Sequence, residues 1–197
     1  MQLILVRHGH PEVPTSGHTG NPPLSARGEA QAAYTAQALR TEQIERIVSS
    51  GMRRADATAA PLAAALGLDI ETCPDLGEVD RWGGAYAGID TIRQKGRQEW
   101  ARFLDAPLAY FGVDPDRFRS ETLAGFRTVM DAGGGERIAI FTHGFPINIL
   151  LSHALGLRHD ARFVPAYGSI TRLAGRSLDA LTVVSVNESG HIPEALK

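Results

Sequence analysis

A single cysteine, Cys73, leaves this 197-residue chain without an internal disulfide, which excludes a disulfide-stapled scaffold and fits a reducing compartment. No apolar run approaches the roughly 20 residues of a membrane helix. The first residues also lack the basic start, long apolar stretch and small-residue cleavage site of a signal peptide. Charge of one sign is missing as well: 20 Lys and Arg stand against 22 Asp and Glu. No basic surface therefore argues for nucleic acid or for an anionic membrane. Internal repeats, low-complexity tracts and linkers are absent. What remains has the composition of an ordinary globular protein, expected to be one cytoplasmic domain over residues 1–197 with a substantial core.

The chain opens on Met1-Gln2-Leu3-Ile4-Leu5-Val6-Arg7-His8-Gly9-His10. A continuous apolar run ending in a glycine reads as a strand buried on both faces. Pro11 to Pro23 is a loop, and Ser25 is the N-cap of a helix over Ala26 to Arg40. Ile44 to Val48 is a strand, Arg53 to Leu66 a helix stopped by Gly67, and Leu68 to Cys73 a third strand. This alternation predicts a parallel sheet covered by helices. Pro74 to Asp116 interrupts it, holds both tryptophans and carries a helix around Ile92 to Phe103. Long structured insertions are usually functional, so a lid is expected over roughly 74–119. A helix over Ser120 to Ala132, a buried strand Arg137 to Thr142 and a helix Pro146 to Leu155 follow. Ser169 to Leu173 and Ala180 to Val186 form a closing pair of strands.

In a parallel sheet with right-handed crossovers, the carboxyl ends of the strands share one edge, where ligands bind. Three such ends carry chemistry: Arg7-His8-Gly9, then Ser49 to Arg54, then Thr142-His143-Gly144. Two of them run into helix N-termini, whose free N–H groups attract anions. A cationic site in a chain of net negative charge suits a phosphate or another compact oxyanion. An imidazole near its unperturbed pKa of about 6.5 is largely neutral at pH 7 and can attack phosphorus. The leaving alkoxide needs a proton, and Glu78, Asp80 and Asp75 all follow the third strand closely enough to supply it.

These residues resemble the histidine phosphatase superfamily, the phosphoglycerate-mutase-like fold. Leu5-Val6-Arg7-His8-Gly9 is similar to its signature, and Leu24-Ser25 with Gly28 and Gln31-Ala32 to its first helix. Ser50-Gly51-Met52-Arg53-Arg54-Ala55-Asp56-Ala57-Thr58-Ala59 resembles its Ser-x-x-x-Arg-Ala-x-x-Thr-Ala segment. Leu76-Gly77-Glu78 followed by Trp82-Gly83 is similar to the segment that carries the acid. Ser120-Glu121-Thr122 is close to Gly-Glu-Ser, and Phe141-Thr142-His143-Gly144 is similar to the second histidine motif. Asn187 and His191 match the C-terminal pattern. The resemblance implies a three-layer αβα sandwich and a phosphohistidine mechanism. It makes His8 the nucleophile, Arg7, Arg54 and His143 the phosphate clamp, and Glu78 the acid, with Asp80 the rival for that role. Gly9, Gly144, Glu121 and Trp82 are expected at the substrate. No metal or organic cofactor is implied, and the partners are a small phosphorylated substrate or inorganic phosphate.

The chain departs from the mutase-like pattern where Pro11 and Pro14 replace a hydroxyl residue and an asparagine, and where His10 replaces an acidic or amide residue. Phe145 and Asn148 stand where a glycine and an arginine are frequent. These changes alter the pocket wall more than the clamp and favour a phosphatase over a phosphoglycerate-type mutase. A metal site of His8 and His10 with Asp80 or His18 is the competing arrangement, disfavoured by the intervening glycine and the lack of a tight ligand cluster. A non-catalytic phospholigand binder is a further alternative, disfavoured because a binder needs neither nucleophile nor acid. Arg53 is expected in solvent or paired with Asp56 or Asp69. Trp82, Tyr86, Trp100 and Phe103 are expected in the lid core, with the alternative that one of them lines the substrate pocket.

Overall fold

The computed structural model describes residues 1–12, 20–82, 88–159 and 161–197. Pro14, His18, Gly83 and Tyr86 lie outside the described residues. Six strands form one sheet: β1 (Gln2–Arg7), β2 (Arg46–Ser49), β3 (Ile70–Thr72), β4 (Arg137–Thr142), β5 (Ile170–Ala174) and β6 (Thr182–Glu188), in the order β3-β2-β4-β1-β5-β6. The first four run parallel, whereas β5 and β6 are antiparallel to their neighbours. The sheet is therefore mixed but mainly parallel, as the alternating pattern predicts.

Period-two alternation sends neighbouring side chains of β1 to opposite faces. Leu3 and Leu5 join Ile138, Ile140, Phe126 and Leu150 on one face, beneath α6 (Pro115–Asp131) and α7 (Gly144–Leu155). Ile4 and Val6 join Ala139, Phe141, Leu39 and Leu62 on the other, beneath α1 (Ala26–Leu39) and α2 (Arg53–Leu66). The result is a three-layer αβα sandwich. Ser25 caps α1 by accepting the Gly28 N–H, and Gly67 ends α2 in the left-handed conformation, φ +66°.

The segment between β3 and α6 holds three short helices, α3 (Ile89–Gln94), α4 (Arg97–Asp105) and α5 (Pro107–Tyr110). Their core of Ile92, Phe103 and Leu108 packs on Phe118, Phe145 and Ile149, which ties the segment to α6 and α7. The single helix expected over Ile92 to Phe103 is two, because Gly96 sits at φ +101° and caps α4. The helix expected from Ser120 begins five residues earlier, at Pro115: Asp114 caps it by accepting from the N–H groups of Asp116 and Arg117, and proline occupies its first turn. Glu121 therefore lies in the second turn of this helix, and Asp116 is the acidic residue of the first. The third strand contracts to an edge of three residues whose last two side chains are exposed. No helix among the described residues is long and apolar enough to cross a membrane.

Gly9 and Gly28 bring the loop after β1 onto α1. A Cβ on Gly28 would lie 2.1 Å from the His10 carbonyl oxygen, and one on Gly9 would lie 2.5 Å from that of Gly28. Two backbones touch here, and neither obstacle is a side chain that can swing away. Gly28→Ala should cost about 1–3 kcal/mol through overpacking, read as a lower urea midpoint at unchanged slope; an unchanged midpoint would contradict this packing.

Candidate active site

Three strand ends meet because β1, β4 and β2 are adjacent. Arg7 pairs in register with Thr142, the His8 N–H donates to the Thr142 carbonyl at 3.0 Å, and the Ser50 N–H donates to that of Phe141 at 3.1 Å. The backbone ladder thus sets Arg7, His8, Ser50 and His143 side by side. The His8 and His143 rings stand 4.9 Å apart, both inaccessible to solvent or nearly so.

His8 Nδ1 lies 2.7 Å from the Gly9 carbonyl oxygen. A carbonyl only accepts, so Nδ1 carries the proton and Nε2 the lone pair. Arg54 Nε donates toward Nε2 at 3.3 Å. Burial first, then the Arg54 and Arg7 guanidinium groups, hold the His8 imidazole well below its ordinary pKa of 6.5. The same causes, burial foremost, hold His143 low. At neutral pH, His8 is an uncharged ring with a fixed tautomer, which is the form of a nucleophile.

Arg54 is wholly buried, and Asp80 is its bidentate partner: Nη2 donates to Oδ1 at 2.8 Å and Nη1 to Oδ2 at 3.1 Å. Asp80 Oδ2 also accepts the Asn21 N–H at 3.2 Å. Both Asp80 oxygens are engaged in orienting a cation. Glu78 differs. Its oxygens accept from the Val79 N–H at 3.1 Å and the Phe145 N–H at 3.3 Å, and burial, reinforced by the Asp80 charge, raises its carboxyl pKa to about 7. Two carboxylates two residues apart are thus driven to separate roles by their surroundings. Asp75 is exposed and does not line the cleft.

His143 Nε2 pairs with Ser50 Oγ at 2.8 Å, and that hydroxyl also accepts the Met52 N–H at 3.3 Å. His143 Nδ1 and Arg7 Nε are buried and without a hydrogen-bond partner. Arg7 is held from behind, where Nη1 donates to the Pro165 carbonyl at 2.5 Å and its guanidinium carbon lies 4.0 Å from the centre of the Tyr167 ring. Tyr167 also packs against His8 at 5.6 Å and His10 at 5.2 Å. Its loop is pinned by the Gly168 N–H, which donates to the Arg7 and His8 carbonyls, and by Asn187 Oδ1, which accepts the Ala166 N–H at 2.7 Å. His191 Nε2 reaches the Gly168 carbonyl at 3.1 Å. Asn187 and His191 therefore act on this loop.

A cavity opens outward from Arg7, His8, Glu78 and Asp80 and is bounded by Gly144, Phe145 and Asn148, among others. Gly9 lies beneath His8, its N–H donating to Thr58 Oγ1 at 2.9 Å. Glu121 and Trp82 are not among the residues that line it. Glu121 accepts from Arg81 Nη2 and Arg117 Nε, both at 2.7 Å, and Trp82 lies against those two guanidinium groups at 4.4 and 4.9 Å. Arg81 in turn donates to the carbonyls of Asp75 and Gly77, next to Glu78. Arg53 is exposed, and Asp56 accepts from Ser49 instead of pairing with it. Among the described residues, no group of three or more His, Cys, Asp or Glu is placed to hold a metal ion, and the Asp80 of the competing arrangement is committed to Arg54.

Sequence reasoning missed Tyr167, the anchoring role of Asp80 and the bond from Ser50 to His143. Ser50 stands in a recognisable motif, and Asp80 stands beside Glu78, but nothing local to Tyr167 signals that it meets Arg7.

A model of the histidine phosphatase superfamily, branch 1, matches residues 3–188. The chain belongs to that superfamily. It is 32% identical over 166 residues to the probable phosphoglycerate mutase GpmB of Citrobacter koseri, covering 80% of this chain and 76% of that one. It is also 30% identical over 167 residues to an uncharacterized protein of Mycobacterium tuberculosis, covering 82% of this chain and 83% of the relative. The fold is shared with a mycobacterial glucosyl-3-phosphoglycerate phosphatase, at TM-score 0.74 and 21% identity over 95% of this chain and 99% of that one. An α-ribazole phosphatase from Shigella flexneri shares it too, at TM-score 0.71 and 19% identity over 95% and 96% of the two chains. Membership in this superfamily agrees with the expected histidine-phosphatase enzyme.

Removing one member of a buried ion pair leaves the other charge stranded. Asp80→Ala should destabilise the protein by about 3–5 kcal/mol, measured by urea unfolding, with Asp80→Asn intermediate. A loss well below 1 kcal/mol for the alanine variant would mean that Arg54 does not depend on this carboxylate.

Proposed function

We propose that the protein is a phosphomonoesterase that hydrolyses a small phosphorylated metabolite through a phosphohistidine at His8. The observation that carries this reading is the pair of opposed shifts: a buried imidazole held neutral, with its lone pair on Nε2, stands in one site with a carboxyl raised to about 7. Nucleophile and acid are thus each in working form at neutral pH.

In the first step His8 Nε2 attacks phosphorus and the ester P–O bond breaks. Glu78 gives its proton to the departing oxygen. In the second, Glu78 as carboxylate takes a proton from water, whose oxygen attacks the phosphorus of the phosphohistidine. The P–N bond breaks, phosphate leaves, and both residues return to their starting forms. Arg7, Arg54 and the His143 Nδ1–H meet the charge on the equatorial oxygens, so the reading calls on no metal. Ser50 is compatible with this role of His143: with its hydroxyl accepting from Met52 and free to donate to Nε2, the tautomer protonated on Nδ1 is accommodated. Gly144, at the N-terminus of α7, faces the same cleft.

The name of the Citrobacter koseri relative favours a second reading, a phosphoglycerate-type mutase. Incubation with 3-phosphoglycerate separates the two, since a phosphatase releases phosphate and a mutase exchanges isomers.

His8→Ala should abolish both turnover of an aryl phosphate and the acid-labile phosphoenzyme; wild-type hydrolysis by this variant would end the phosphohistidine reading. For an ester with a poor leaving group, kcat/KM should fall as pH rises through about 7, because the acid must be protonated. The fall at low pH should lie well below 6.5, where His8 gains its proton. Glu78→Gln should remove the alkaline limb and slow poor leaving groups more than good ones. If that limb persists in the variant, another group is the acid.

A further inference from the structure

The cavity has two chemically different ends. Its floor is the charged set around His8, whereas its outer wall is built from rings: Trp100, Phe103, Phe111, Phe145 and Phe163. Leu104 and Val164 also line it and remain 53% and 51% exposed. Large apolar side chains left this open beside a polar site are the usual mark of a surface that receives an apolar partner.

The wall also offers few hydrogen bonds. Besides the Trp100 indole N–H, Asn148 is the one neutral polar side chain of the outer wall among the described lining residues. Its Oδ1 accepts the N–H groups of Arg162 and Phe163, and its Nδ2 donates to the carbonyls of Gly144 and Phe163. An amide has two donors and two acceptor positions, so all of Asn148's are used within the protein. Among the described lining residues the wall has no second cation of its own, and the nearby Arg93 guanidinium lies over the Trp100 ring at 4.7 Å. Arg7 is the only Lys or Arg among the described lining residues, and stretches 13–19 and 83–87 contain neither residue type. Arg93, Arg27 and Lys197 line an adjoining cleft. A carboxylate or a second phosphate seated against the rings would therefore lose water without gaining a charge-assisted bond from the described lining residues.

The geometry points to a monoester whose organic part is aromatic and uncharged, seated against Trp100, Phe103, Phe111 and Phe163 with its phosphate at His8. This deepens the reading of the site as a phosphatase and rests on it. Ring against ring rewards flat apolar groups beyond the area that they bury. A sugar or glycerate phosphate would bring hydroxyls or a carboxylate to a wall whose described side chains offer them little beyond the Trp100 N–H.

The test compares 1-naphthyl phosphate, phenyl phosphate and 3-phosphoglycerate, by kcat/KM with the wild-type protein and by calorimetric affinity with His8→Ala. Naphthyl should exceed phenyl phosphate by about tenfold or more, the least that added apolar contact gives in a fitted pocket, and 3-phosphoglycerate should be the poorest of the three. Leu104→Arg, at a side chain exposed enough to spare the fold, should lower the naphthyl-to-phosphoglycerate ratio by about tenfold in both measurements. Equal use of the three esters, preference for 3-phosphoglycerate, or a ratio that Leu104→Arg leaves unchanged would overturn the inference. Should the wild-type protein turn over none of the esters, the phosphatase reading fails alone if His8→Ala still binds naphthyl phosphate preferentially, and both fail if it does not.

Discussion

A buried guanidinium must be met by a buried carboxylate, and the contact between Arg54 and Asp80 is the constraint that the site depends on. Arg54 is wholly enclosed and Asp80 nearly so. The pair spans the start of α2 and the short turn after β3, so it holds the segment of Glu78 against the sheet edge that carries His8. Burial, reinforced by the charge of Asp80, lifts the Glu78 carboxyl to about 7 against the pull of Arg54. Arg54 at the same time lies beside the His8 ring and helps to keep it neutral. The ion pair thereby adds to burial in moving His8 down and Glu78 up.

Around it, the fold supplies orientation and little freedom. The Gly9 carbonyl fixes the His8 tautomer, and the contact with Gly28 leaves that backbone no room to shift. Arg7 is backed by Pro165 and Tyr167, on a loop that Asn187 and His191 secure from the far end of the chain. Glu121 and Trp82 belong to an outer network with Arg81 and Arg117, which reaches the Glu78 segment through the carbonyls that Arg81 holds. Their contribution is to the placement of that segment, whereas the cavity itself meets the outside world through rings and two exposed aliphatic side chains.

Much of this was legible in the chain. The buried runs before Arg7 and before His143, the Ser25 cap and the stop at Gly67 are local signals, and local signals survive folding unchanged. The insertion was legible only as an interruption. Its helices are short and mutually packed, so periodicity is weak there, and the positive φ at Gly96 splits what reads as one helix. The true start of α6 was encoded in Asp114-Pro115, a cap and first-turn signal that the later resemblance at Ser120-Glu121-Thr122 overshadowed.

By itself, the sequence determined the layered α/β architecture, because alternating strand and helix patterns and right-handed crossovers bring the carboxyl ends of the strands to one edge. It also determined that Arg7, His8, Arg54 and His143 would be carried to that edge, since each follows or opens an element whose direction is set locally. Only the tertiary structure decided that Asp80 anchors Arg54 and that the Glu78 carboxyl is raised, that Tyr167 backs Arg7, and that the cleft beyond the charged floor is mainly apolar. Those outcomes depend on burial and on distances between residues far apart in the chain, and a pKa or a pocket wall is a property of the surroundings, not of the residue that bears it.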